Sequence, residues 1–163
     1  MTQRKTSTLK PTHPLPVHHS WALYERERHF ALGQILEYDT PDWGPEAAVI
    51  VEKQGLARPG HWECDLSDNR LSWSDEVYDI FGIPRGAAVT RDEAVALYGE
   101  ESRAAMEKLR AYAIKHRRGF TLDVEIRPAL AARRWMRLIA APVCAGDRIV
   151  RLQGLKFVVP ASE

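Results

Sequence analysis

Two segments near the C-terminal end constrain the fold more than anything else in the chain. In RWMRLIAAPV the apolar side chains fall on both parities, Met136 and Leu138 against Trp135 and Ile139. RIVRLQGLKFVV repeats the pattern, with Val150 and Leu152 against Ile149, Leu155 and Phe157. Side chains alternate faces along a strand, so a strand apolar on both parities belongs in the middle of a sheet covered on each side. One cover is expected from the helical patterns upstream. The other is expected from an amphipathic helix starting at Trp21, or from a second copy of the chain.

Upstream, FTLDVEIR alternates strictly, Phe120, Leu122, Val124 and Ile126 against Thr121, Asp123, Glu125 and Arg127. That pattern predicts an edge strand wet on one face. HWECDL alternates too, with Trp62, Cys64 and Leu66 on one side, and RLSW returns after the turn Ser67, Asp68, Asn69. Ser74 stands where an N-cap belongs, and DEVYDIFGI places Val77, Tyr78 and Phe81 at helical spacing before Gly82 and Pro84. RDEAVALYG after Thr90 predicts a short helix, and ESRAAMEKLRAYAIKHRRG a longer one. The second gathers Lys115, His116, Arg117 and Arg118 in its last turn, where the helix dipole favours cations.

The N-terminal third reads differently. Residues 1–20 mix Pro, Thr, His and Lys with few large apolar groups and predict a mobile tail; His13, His18 and His19 lack the partners of a metal site. From Ser20 as N-cap, WALYERERHFALGQILEYD predicts an amphipathic helix carrying Trp21, Tyr24, Leu32 and Ile35 on one stripe. PEAAVIVEKQG adds a short helix, with a strand as the alternative reading of its Val-Ile-Val run, and residues 21–54 are read as a helical extension.

Charge and composition narrow the function. The 163 residues are 45% hydrophobic and 28% charged, and no apolar run approaches the roughly 20 residues of a membrane helix. The start does not read as a secretory signal, so a cytoplasmic protein without membrane contact is expected. Net charge is +1, but residues 103–163 hold 13 Lys/Arg against 5 Asp/Glu while residues 61–101 hold 3 against 10. The basic half facing the acidic half within one fold is the preferred reading over a nucleic-acid surface. Cys64 and Cys144 supply neither a disulfide framework nor a zinc site, and no nucleophile elbow or phosphate-cradling glycine loop is present. No enzyme activity and no metal are expected.

Two strands, short helices, one long helix and three more strands over residues 55–159 resemble a PAS domain. GHWECDL followed by LSWSDEVYDIFGI is similar to the PAS subgroup that reads G-x-W-x-x-D-L, then S-D-E-x-Y-x-I-F-G. The Phe120 strand, Arg134-Trp135 and Gly154 fall at that subgroup's spacings. The chain departs from it at Gly99 to Arg103, at Leu130-Ala131 and at Asp123 to Glu125. The resemblance implies an α+β fold, a five-stranded antiparallel sheet with helices over one face around a small pocket. It places Trp62, Cys64, Tyr78, Phe81, Leu97, Leu122, Val124, Ile126, Met136, Leu138, Leu152 and Lys156 at that pocket.

Lys156 is the odd residue in that set. It shares strand parity with Val150, Leu152, Gly154 and Val158, and the resemblance implies that this parity faces inward, where an unpaired ammonium is expensive. It can snorkel to the rim, pair with an acid of the helical side, or meet an anionic ligand. The light-sensing relatives' flavin-cysteine signature is missing, and His116, the one His of the long helix, sits among cations at its end, so neither flavin nor haem is expected. The implied function is a stand-alone sensory module that signals by protein contact and binds a small ligand. The alternatives are a ligand-free dimerisation scaffold and a haem or flavin sensor. Expected partners are a second copy and a separate signalling protein, through a face of Trp21, Tyr24, Leu32, Ile35, Trp135, Ile139, Ile149, Leu155 and Phe157.

Overall fold

A computed structural model describes residues 18–31 and 58–159. The strands are β1 (His18–Ala22), β2 (Gly60–Asp65), β3 (Arg70–Trp73), β4 (Arg118–Ile126), β5 (Arg134–Ala145) and β6 (Arg148–Val159). Between β3 and β4 lie α1 (Asp75–Phe81), α2 (Arg91–Val95) and α3 (Glu100–His116). The strands form one antiparallel sheet in the order β1-β4-β5-β6-β2-β3. β5 and β6 therefore occupy the middle, where their two-sided apolar pattern requires them.

The two faces have separate cores. On the inner face Phe120, Leu122, Val124 and Ile126 of β4 join Met136 and Leu138 of β5 and Leu152 of β6. Val77, Ile80 and Phe81 of α1 and Met106 and Ala113 of α3 close over them. On the outer face Trp21, Ile139, Ala141, Leu155, Phe157 and Val159 form a second buried cluster, with Leu23, Phe30 and Trp135 packed against it.

The chain's own N-terminal segment thus helps cover the outer face, but as a strand. The helix expected from Ser20 is displaced by β1, which pairs His18–Ala22 with β4, followed by a 3₁₀ turn at Leu23–Glu25 and helical residues 26–31. The physical reason is long-range: Trp21 faces Gly119, its indole N–H donates to Thr121 Oγ1 at 3.1 Å, and His29 stacks on it at 4.3 Å. Those contacts outweigh local helix propensity. The sheet consequently has six strands where five were expected, and β4 is interior where an edge was expected. Thr121 and Asp123 of β4 are buried, and Arg137 donates two hydrogen bonds to the Asp123 carboxylate at 2.7 and 3.0 Å.

Tyr24, read as part of the apolar stripe, is 89% exposed. Ile139, Leu155 and Phe157 are buried within the chain, and Trp135 and Ile149 are half-buried, so the chain itself supplies much of the cover that this face was expected to need. Leu32, Ile35, the PEAAVIVEKQG segment and residues 1–17 lie outside the described residues.

The motif residues each have a local task. Ser74 sits at the α1 N-cap position, but its hydroxyl accepts the His61 N–H at 2.9 Å and ties the helix start to β2. Gly82 ends α1 at φ +69°, the left-handed conformation that favours glycine. Tyr78 donates its hydroxyl to Ala87 O at 2.8 Å, and Arg134 reaches the Ile80 carbonyl at 3.0 Å. Gly154 lies so close to β5 that a Cβ there would stand 1.7 Å from Ile139 O. The altered turn at Gly99 to Arg103 still starts α3 and docks on β4: Gly99 N–H donates to Glu125 O, and Ser102 Oγ accepts from Glu125 N–H, both at 2.8 Å.

Candidate functional site

A cavity of about 50 Å³ opens between the inner face of the sheet and the helices α2 and α3. The sheet supplies Trp62 and Cys64 from β2, Leu71 from β3, Phe120 from β4, Leu138 from β5, and Leu152 and Lys156 from β6. Arg91, Ala94 and Val95 come from α2, Tyr98 from the turn after it, and Met106 and Arg110 from α3. Five of the expected pocket residues meet there: Trp62, Cys64, Leu138, Leu152 and Lys156. Leu122, Val124, Ile126, Met136, Phe81 and Leu97 belong instead to the packed core, and Tyr78 packs edge-on against Trp73.

The helical half of the lining was missed. Its signal was present: Arg91, Ala94, Val95 and Tyr98 stand at i, i+3, i+4 and i+7, one face of a helical turn. Thr90 fixes that face through a capping box, its hydroxyl accepting from Glu93 N–H while the Glu93 carboxylate accepts from Thr90 N–H.

Lys156 is 6% exposed, so it does not snorkel to water. Its register partners are Gly60 and Leu138, and Val77 of α1 rests over Gly60, where a Cβ would stand 2.5 Å from its side chain. The Nζ atom lies 5.1 Å from the Trp62 ring, 5.0 Å from Phe81 and 5.7 Å from Trp73. Among the described residues no carboxylate or carbonyl accepts a hydrogen bond from it, so the pairing with an acid of the helical side is absent. Cation–π attraction offsets part of the desolvation, but burial wins: with Cys64 opposing the shift and Arg91 adding to it, the ammonium comes down to about 7.

The other polar groups of the cavity are donors or cations. Tyr98 is buried, and desolvation pushes its phenol well up, so it stays a neutral donor. Arg91 is held by Glu107 of α3, and Arg110 donates to Asn69 Oδ1 at 3.2 Å in the β2–β3 turn. Asn69 adopts φ 60°, which aims its amide at Arg110 and toward the Cys64 thiol, whose sulfur lies 4.0 Å from the same oxygen. Trp73, beside Lys156, buries an indole N–H that has no acceptor among the described residues.

A cavity of this size lies well below the roughly 300–1,000 Å³ of pockets that hold drug-sized ligands. Cys64 lies on β2 and Cys144 is exposed near the end of β5, while His116 packs against Tyr112 at the end of α3. Among the described residues no group of three His, Cys, Asp or Glu could hold a metal, and no helix is long and apolar enough to cross a membrane.

Solved structures share this architecture. The N-terminal domain of a diguanylate cyclase with a PAS/PAC sensor from Marinobacter aquaeolei aligns at TM-score 0.57 and 12% identity, covering 62% of this chain and 94% of that one. A PAS domain from Colwellia psychrerythraea aligns at TM-score 0.53 and 12% identity over 68% and 97%. The fold is the PAS fold. An RNA-binding light-oxygen-voltage receptor aligns at TM-score 0.55 and 17% identity over 64% of this chain, which spans only 31% of that receptor. No protein-family model and no curated protein matches the sequence. In this PAS fold the cavity lies between sheet and helices, with Lys156 at the sheet side and Tyr98 and the two arginines at the helical side.

Proposed function

We propose that the chain is a PAS sensory module that takes a small ligand into the cavity beneath α2 and α3 and passes the signal by noncovalent protein contact. One observation carries the ligand reading: a buried ammonium lines a cavity and has no hydrogen-bond acceptor among the described residues. A side chain meant only to fill a core has no reason to be cationic there, since replacing it with an apolar group would remove the desolvation cost. The route outward is short. Leu155 and Phe157 flank Lys156 on β6 and are buried in the outer cluster, so a shift of β6 at the cavity is felt directly by Trp21 and its strand.

The output contacts proposed are a second copy of the chain and a separate signalling protein. They would use what the outer side still offers, Tyr24 and the half-buried Trp135 and Ile149. A cytoplasmic location accompanies this reading, and no catalytic step is assigned.

Amide NMR of the full chain against a panel of small organic acids, amides and amines tests the proposal. A binding compound is expected to shift Trp62 and Tyr98 on the inside and Leu155 and Phe157 on the outside. Absence of any shift across the panel, with a monomer and dimer population that no compound changes, would favour a ligand-free scaffold. The modest size of the cavity is the observation behind that second reading.

A further inference from the structure

The cavity combines three properties that together specify a chemical class. Its polar lining consists of donors: the Lys156 ammonium, the Tyr98 hydroxyl, the Arg91 and Arg110 guanidiniums and the Cys64 thiol. No carboxylate lines it; Glu107 of α3 holds Arg91. The rest is apolar, and the space is small.

A cation entering this space would meet three positive charges and no acceptor. A neutral molecule would leave the charged form of Lys156 uncompensated, with only ring faces around it. A dianion such as phosphate would bring a second charge into a cavity whose two arginines are already engaged by Glu107 and Asn69. A monoanion with a short apolar tail meets every condition. Its oxygens can accept from Lys156 and Tyr98, and its methylenes can rest on Ala94, Val95 and Leu152. A charge-assisted hydrogen bond to a buried ammonium is among the stronger neutralising contacts available.

We propose that the cavity is a site for a short aliphatic monocarboxylate, of acetate to butyrate size, with Lys156 as the residue that reads its charge. The proposal rests on the sensory reading above and names the ligand class of the same cavity. Because the anion would favour the charged amine, its binding at neutral pH is accompanied by proton uptake, supported by the lowered value of Lys156. Of the charged and titratable groups on the packed elements, Cys64 of β2, Arg91 of α2, Tyr98 and Arg110 of α3 line the cavity with Lys156, and Glu107 of α3 holds Arg91.

The test is a titration of the full chain at fixed ionic strength with sodium propionate, propionamide and propylamine, followed by tryptophan fluorescence, since Trp62 and Trp73 border Lys156. Propionate is expected to give a saturable change, with propionamide and propylamine weaker by about tenfold or more, the equivalent of 1.4 kcal/mol. Lys156→Met is expected to remove the preference for propionate. Ala94→Leu, which fills the space from the α2 side and keeps the lysine, is expected to abolish binding of all three and covers the case of a poorly folded Lys156→Met. Equal affinity for propionamide, or full propionate binding by Lys156→Met, overturns the monocarboxylate assignment while leaving a ligand cavity. Silence from all three probes overturns the assignment and the ligand-binding reading together.

Discussion

Trp21 stands opposite Gly119 in the β1–β4 pairing, and a Cβ on that glycine would come within 2.2 Å of the indole ring. The glycine is therefore the seat of the tryptophan. Its backbone freedom is not the reason for it; the space is. Gly119→Ala is expected to lift Trp21 off the sheet and cost about 1–3 kcal/mol, the usual range for overpacking a filled site. Chemical denaturation measures the loss, and faster proteolysis between residues 18 and 31 would show that β1 is the part released. An unchanged midpoint and cleavage pattern would mean that Trp21 does not rest there in solution.

Thr90 connects a surface hydrogen-bond pair to the shape of the cavity. Its capping box orients α2, and α2 presents Arg91, Ala94 and Val95 to the lining. Thr90→Ala should cost about 0.5–2 kcal/mol, as loss of an N-cap does. Amide exchange should accelerate in residues 91–98 ahead of the sheet. Uniform acceleration across the chain would argue against α2 as a separately held wall.

What could be read from the sequence was whatever is local or periodic. β5 and β6 announced their central place through apolar residues on both parities, and the S-D-E-x-Y-x-I-F-G stretch fixed α1 and its glycine stop. The β1 strand could not be read, because WALYERER has helical spacing and the reason for its extended form lies about a hundred residues away at Gly119 and Thr121. The same contact explains the misreading of β4: its polar face looks solvated until Trp21 covers Thr121 and Arg137 pairs with Asp123. At the cavity, the inward direction of Lys156 came from the family resemblance applied to its strand parity, and the residue lies buried on the cavity side of β6. The opposite wall was missed because Tyr98 lies just past the end of α2, and Leu97 was chosen beside it.

Gly154 tests the reading of the late glycine as a packing requirement. With Ile139 O 1.7 Å from the position of a Cβ, even alanine forces β5 and β6 apart at the centre of the sheet. Gly154→Ala is expected to be more destabilising than Gly119→Ala, because backbone on two paired strands must move in the first case and one ring in the second. Comparing the two variants' denaturation midpoints checks the order, and the reverse order would refute this close approach.

Lys156 sets a pH dependence whose direction follows from its burial. The unfolded chain releases the lysine proton near 10.5, whereas the folded chain holds it only up to about 7. Between those values the unfolded state binds more protons, so this residue makes stability rise with pH across that window. Below about pH 7 the cost of the buried ammonium is fully present, on the order of 5 kcal/mol from the size of the shift; above about 10.5 it is gone. Lys156→Met should therefore be more stable than the parent protein at pH 6, with the gap narrowing as pH rises through 8 and 10. Using the difference between the two proteins removes the pH dependence common to both. A saturating carboxylate should act on the parent protein in the same direction as the substitution at pH 6, since it compensates the same charge. Urea denaturation at the three pH values decides the matter: a gap that is constant with pH would mean that the Lys156 amine keeps its ordinary protonation in the folded state.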